Sequence, residues 1–132
     1  MRMNTVTGRL KITVTSAQLT HETSVFKMDP YISLKLSNQH ATSKVISKGG
    51  SNPVYNESFW FNINSCFRID GRNLEIKVMD KNKVGSDKQI GFGIVDLDPI
   101  VNFKKPKEAF RCFLNYHSKP AGLVNLVAEF HE

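Results

Sequence analysis

The chain has 132 residues, 40% hydrophobic and 23% charged, with 18 Lys and Arg against 12 Asp and Glu for a formal net charge of +6. That length suits one domain with a core that needs no staples. The composition excludes a disordered tail, and no run approaches the ~18–20 apolar residues of a membrane-spanning helix. The positive balance points to an anionic partner (nucleic acid, anionic membrane or acidic protein), although a charge of this size also serves solubility.

In chain order, residues 1–7 show no pattern and read as a flexible lead without a secretory signal or myristoylation site. Leu10, Ile12 and Val14 then alternate with Lys11, Thr13 and Thr15. The same period of two recurs at Ile32, Leu34 and Leu36, at Leu74, Ile76 and Val78, and at Val124, Leu126, Ala128 and Phe130. Each run presents one apolar face to a core and one polar face to water. Less regular runs fall at 42–48, 56–63, 89–96 and 109–116. Turn signals separate the runs: Gly49-Gly50-Ser51-Asn52-Pro53, Asp70-Gly71, Val84-Gly85-Ser86-Asp87 and Ser118-Lys119-Pro120-Ala121-Gly122. One turn of helix is expected at 98–103. Eight short strands predict an all-β fold, an eight-stranded antiparallel β-sandwich forming a single domain over 1–132 with its core in 8–131. Function then belongs to the long loops near 18–29, 49–55 and 80–89.

Catalytic and nucleic-acid readings find little support. His21, His40, His117 and His131 are scattered and read as surface residues, and no nucleophile signature accompanies them. Gly91-Phe92-Gly93 lies inside a strand and reads as close backbone packing rather than a phosphate loop. Asn56-Glu57-Ser58 fits a glycosylation triplet but starts a strand in a chain without a signal. Cys66 and Cys112 are too few for a disulfide framework, lack metal-ligand spacing, and read as free thiols in the cytoplasm. The lysines are dispersed and the aromatics mostly face the core, so neither an enzyme nor a nucleic-acid binder is expected.

Two acidic loops carry more information. Met28-Asp29-Pro30-Tyr31-Ile32 precedes one alternating strand, and Val78-Met79-Asp80-Lys81-Asn82 begins a loop ending at Asp87-Lys88-Gln89-Ile90-Gly91. Between them lies Asn52-Pro53-Val54-Tyr55-Asn56-Glu57-Ser58-Phe59-Trp60-Phe61. In order and spacing these motifs resemble the C2 domain family over residues 8–131, most closely small stand-alone members. The resemblance implies a Greek-key sandwich in the circularly permuted, type II topology, with a calcium site between the first and third loops.

Calcium takes six to eight oxygen ligands, mostly carboxylate. The family's five acidic positions fall here on Thr23, Asp29, Asp80, Asn82 and Lys88. Two carboxylates survive, Asn82 retains a neutral oxygen, and Lys88 places a cation where a carboxylate belongs. Glu22 and Asp87 are one residue from the lost positions and could substitute by swinging inward. Affinity is therefore expected to be weak or vestigial. The structural alternative is that Asp29 and Asp80 bond to loop N–H groups.

Lipid contact is the remaining implication. Val25, Phe26 and Val84 are apolar residues near loop tips, flanked by Lys27, Lys81, Lys83 and Lys88. A second basic patch, resembling a phosphoinositide groove, would involve Tyr31, Lys35, Lys44, Lys48 and Trp60, with Ser33 where a lysine often stands; a solvated strand face is the alternative. The expectation is a cytoplasmic, peripheral module that docks on anionic phospholipid with weak or absent calcium dependence. A calcium-independent protein–protein interaction module is the other reading.

Overall fold

The computed structural model describes residues 7–24, 26–63, 72–102 and 106–132. Its strands are β1 (Gly8–Leu19), β2 (Pro30–Leu36), β3 (Gln39–Thr42), β4 (Val54–Ile63), β5 (Asn73–Asp80), β6 (Lys88–Asp96), β7 (Glu108–Tyr116) and β8 (Lys119–His131). A five-residue helix, α1 (Asp98–Asn102), occupies the place of the expected helical turn and buries Ile100 and Val101. The expected lead at 1–7 falls almost wholly outside the described residues, as do Val25, Cys66 and the Asp70-Gly71 turn.

The strands are antiparallel in the order β3-β2-β5-β6-β7-β8-β1-β4. Two four-stranded halves meet at one paired position, Phe92 opposite Asn115, and face each other as a sandwich. The last strand lies beside the first, from Arg9 opposite His131 to Leu19 opposite Gly122, as the permuted topology requires. Alternation explains the core. Leu10, Ile12, Val14, Ile32, Leu34, Leu36, Leu74, Ile76, Val78, Val124, Leu126 and Ala128 are all buried between the halves.

Two glycines permit close approach. A Cβ on Gly93 would stand 2.5 Å from the Phe113 carbonyl oxygen and 2.6 Å from Cys112 Sγ, so β6 and β7 touch through bare backbone. Gly122 adopts φ +122 and its added Cβ would lie 2.1 Å from the Gln18 oxygen, where β8 crosses the end of β1. Cys112 is buried with a free thiol, and burial raises its pKa to about 11.

One strand differs from expectation. The run at 42–48 is not a strand; β3 ends at Thr42. Ser37, at φ 56, turns the chain back early. The following segment still tracks β2, with Ser43 N–H donating to Ile32 O and Ile46 N–H to Pro30 O, but irregularly. Ile46 packs against the core, which accounts for the apolar signal there.

Candidate functional site

Loops 20–29, 43–53 and 81–87 gather at one pole because the strands that carry them are neighbours. Pro30 and Asp80 face each other at the ends of β2 and β5, and Leu19 N–H donates to Ser51 O where β1 ends. Asp80, which is buried, is the hub. Its Oδ1 accepts the Asp29 N–H at 2.8 Å, and its Oδ2 accepts the hydroxyls of Thr23 at 2.8 Å and Ser24 at 2.5 Å. Burial pushes the Asp80 carboxyl pKa up. The hydrogen bonds from Ser24, Asp29 and Thr23, with the nearby Lys88 charge, outweigh burial and hold it below the ordinary carboxylate value.

Asp29 faces the same cleft but accepts the Lys48 N–H at Oδ1, 2.7 Å away. Asp87 is tied to its own loop and to β2. Its Oδ1 accepts the Asn82 N–H at 2.8 Å and its Oδ2 the Tyr31 hydroxyl at 2.5 Å, with Lys81 Nζ at 3.8 Å. The Asn82 and Tyr31 bonds lower the Asp87 pKa against slight burial, aided by Lys81. Burial and the Asp87 bond raise the Tyr31 pKa to about 12. The Asn82 amide serves its own loop, accepting from Val84 N–H and donating to Ser86 O, each at 3.3 Å. Lys88 Nζ reaches back to donate to Thr23 O at 3.3 Å.

These contacts decide how well the pole suits calcium. Thr23 donates a hydrogen bond to Asp80 and adds no carboxylate. An ammonium lies across from it. Among the described residues no group of three or more His, Cys, Asp or Glu is placed to hold a metal ion. The cleft between the loops, about 270 Å³, is lined by Lys27, Lys81, Lys83 and Lys88 against only Asp29 and Asp80. The residues present do not fit a six- to eight-oxygen calcium shell.

Glu22 does not join this cleft. It lines an adjoining cavity of about 430 Å³ that shares Ser24, Phe26 and Lys27 with the cleft and extends to Met28 and the 49–52 segment. Asp87 is likewise committed to Tyr31 and Asn82. Ser24, which sequence reasoning passed over, is a principal partner of Asp80. Its signal was the tandem hydroxyls of Thr23-Ser24 beside an acidic loop.

The apolar tips are exposed: Phe26 by 86% and Val84 by 84%. The second basic patch is divided. Tyr31, Ser33 and Lys35 share the outer face of β2, and Lys44 is exposed beyond β3. Lys35 lies 4.0 Å from Glu75, while Lys77 of β5 stands opposite Ser33 and places a lysine beside that position. Trp60 belongs elsewhere. It lies on β4 in the other half of the sandwich, with Arg9 over its ring at 4.6 Å, Lys11 at 5.8 Å and His131 at 5.1 Å. Its membership in a Tyr31–Lys35 groove is therefore corrected. His21 is half-buried: its Nδ1 lies 2.8 Å from Ile90 O and its ring stacks on Tyr116 with centroids 4.2 Å apart.

The family model for the C2 domain matches residues 8–112. Over 104 residues the chain is 28% identical to Protein C2-DOMAIN ABA-RELATED 11 of Arabidopsis thaliana, covering 79% of this chain and 60% of that one. Over 96 residues it is 32% identical to Elicitor-responsive protein 3 of Oryza sativa subsp. japonica, covering 72% and 64% respectively. The chain thus spans less than two thirds of either relative's length. Among solved structures, a C2 domain of plant Extended Synaptotagmin 1 matches with a TM-score of 0.81 at 23% identity, covering 98% of this chain and 97% of that one. That likeness is one of fold.

Proposed function

This chain belongs to the C2 domain family, and from that premise we propose that it is a peripheral membrane-binding module for anionic phospholipid, with weak or no calcium dependence and no chemistry of its own. One observation carries this reading: the loop pole sets the exposed Phe26 and Val84 among Lys27, Lys81, Lys83 and Lys88. Each lysine near an anionic surface contributes ~1 kcal/mol, and burying a Phe side chain about 1.5–3 kcal/mol. Their sum is enough for reversible recruitment, and its larger part is electrostatic. Asp80 accepts hydrogen bonds at both oxygens from Asp29, Thr23 and Ser24, which supports loops ordered by the chain's own donors. Calcium affinity at this pole is expected to be no tighter than the weak range of ~10⁻⁴–10⁻³ M. In this reading the protein acts from the cytoplasm on the anionic leaflet.

Sedimentation with phosphatidylserine-containing vesicles tests the proposal. Binding is expected in chelator, little changed by calcium, and weakened by raising salt because exposed charges are screened within ~8–10 Å. Phe26→Ser and the pair Lys81→Glu with Lys83→Glu should each reduce it. Absence of binding to these vesicles at low salt, with and without calcium, overturns the reading.

A further inference from the structure

The cleft between the loops is lined by more cations than anions. Lys27, Lys81, Lys83 and Lys88 meet Asp29 and Asp80 around about 270 Å³, a local surplus of two positive charges. The two acids already bond to the chain's own donors. Asp80 is buried, with Asp29 N–H on one oxygen and the Thr23 and Ser24 hydroxyls on the other. Asp29 Oδ1 accepts the Lys48 N–H. Among the cations, Lys81 is shared with Asp87, 3.8 Å away and outside the lining. Lys27, Lys83 and Lys88 form no ion pair among the described residues. With Lys81 assigned to Asp87, the three remaining ammoniums still outnumber the two carboxylates. Lys88 Nζ crosses from the start of β6 to the Thr23 carbonyl at 3.3 Å, so a tethered positive charge joins two walls of the cleft.

A cleft with this balance suits an anion that accepts hydrogen bonds from ammonium groups, and phosphate oxygens do so strongly. A phosphate monoester carries about −1.5 to −2 at neutral pH and three such oxygens. A phosphate diester carries a single negative charge and two. Against a net positive lining, the monoester therefore gains more. Phe26 lines the same cleft and is 86% exposed, so an apolar side chain stands beside the cations. That pairing fits an anion presented at the surface of a bilayer better than one free in water.

We propose that this cleft is an anion site for the phosphate monoester of a lipid headgroup, with Lys27, Lys83 and Lys88 as its cations; this rests on the membrane reading above and adds a headgroup class to it. The test uses the full chain in chelator with two sets of vesicles matched in surface potential. One set carries phosphatidic acid, a monoester, and the other phosphatidylserine, a diester. Phosphatidic acid should be bound at least about tenfold more tightly, a ratio equal to ~1.4 kcal/mol. Raising the pH from about 5 to about 8 takes the monoester through its second ionisation near 6 and should increase that preference. Lys88→Gln should bring the ratio toward one, and Lys88→Arg should keep most of it. Asp29→Asn retains an oxygen for the Lys48 N–H and removes a negative charge, so it should strengthen phosphatidic acid binding, whereas weaker binding overturns the anion site. Glycerol phosphate, a soluble monoester, should shift the amide signals of Ser24, Lys27 and 81–88 but bind far more weakly than the vesicles. Equal binding of the two vesicle sets overturns the proposal while the membrane reading stands; binding of neither at low salt overturns both. Glycerol phosphate or a phosphoserine peptide bound as tightly as phosphatidic acid vesicles would assign the cleft to a soluble monoester or a protein and overturn it. Loss of the preference in Lys35→Gln with Lys77→Gln, but not in Lys88→Gln, would place the monoester on the outer face of β2 and β5 and overturn it too.

Discussion

The side-chain amide of Gln39 makes both hydrogen bonds to Asn62 that a neighbouring peptide group would make. Its Nε2 donates to the Asn62 carbonyl and its Oε1 accepts the Asn62 N–H, each at 2.8 Å. These residues lie on β3 and β4, the terminal strands in the order of the sheet. One side chain thus satisfies backbone groups at an otherwise open edge, and the Lys44 N–H, donating to Glu57 Oε1 at 3.0 Å, adds a second tie. Gln39→Ala should lower stability by about 1 kcal/mol, because exposed hydrogen bonds each contribute modestly. A urea midpoint that falls with an unchanged slope is the expected result.

Acid should loosen the loop pole first. The Asp80 and Asp87 carboxyls are held below their ordinary pKa of 3.8 in the folded chain. Their contribution is present above that value and is lost as pH falls through the lower folded values. Tyr31, raised from 10.0 to about 12, acts at the other extreme: its contribution is present below pH 10 and is lost as pH rises toward 12. Stability from these groups should therefore be flat through neutrality and fall at both ends. In Asp80→Asn the acid-side fall should shrink and neutral stability should drop. Thermal unfolding across pH measures both effects.

Lys88→Asp should strengthen calcium binding. It removes an ammonium reaching the Thr23 carbonyl and adds a carboxylate at the start of β6, beside the cleft. Adding Thr23→Asp should strengthen it further, since that position now occupies Asp80 with a hydrogen bond and supplies no charge. Calorimetry should place the parent no tighter than roughly hundreds of micromolar and the double variant at least about tenfold tighter. A parent constant in the low micromolar range would contradict the proposed weak site.

The β7–β8 hairpin turns on His117 at φ 49 and Ser118 at φ 66. A two-residue turn with both residues left-handed is the geometry that Asn-Gly occupies with least strain. His117→Asn with Ser118→Gly should stabilise the domain by about 1 kcal/mol, raising Tm by roughly 3–5 °C. The present residues therefore hold this turn at a conformational cost.

Alternation made the two buried faces legible before any coordinates, because in a strand every second residue must face the core. Leu10, Ile12 and Val14 needed nothing beyond that rule. Val45 and Ile46 misled because an irregular segment that follows a strand also buries an apolar side chain. The loop lysines could be assigned to one pole from the motifs around Asp29 and Asp80. Which donors saturate Asp80 could not be read, since the directions of Thr23 and Ser24 depend on loop conformation. Trp60 was misplaced because a β-sandwich distributes strands between halves by topology, and motif spacing along the chain does not reveal which half a strand joins.

The antiparallel pairing of β1 with β8 also determines how the domain can be attached to anything else. Arg9 lies opposite His131 at one end of that pair, and Leu19 opposite Gly122 at the other, where the long loops begin. The twelve residues of β1 separate these ends by roughly 40 Å. A fluorescent label, a surface tether or a further length of polypeptide joined to either end of this unit departs from the pole remote from Phe26 and Val84. Immobilising the domain through such a tether would leave the loops facing outward, which suits it to direct measurement of vesicle capture on a sensor surface.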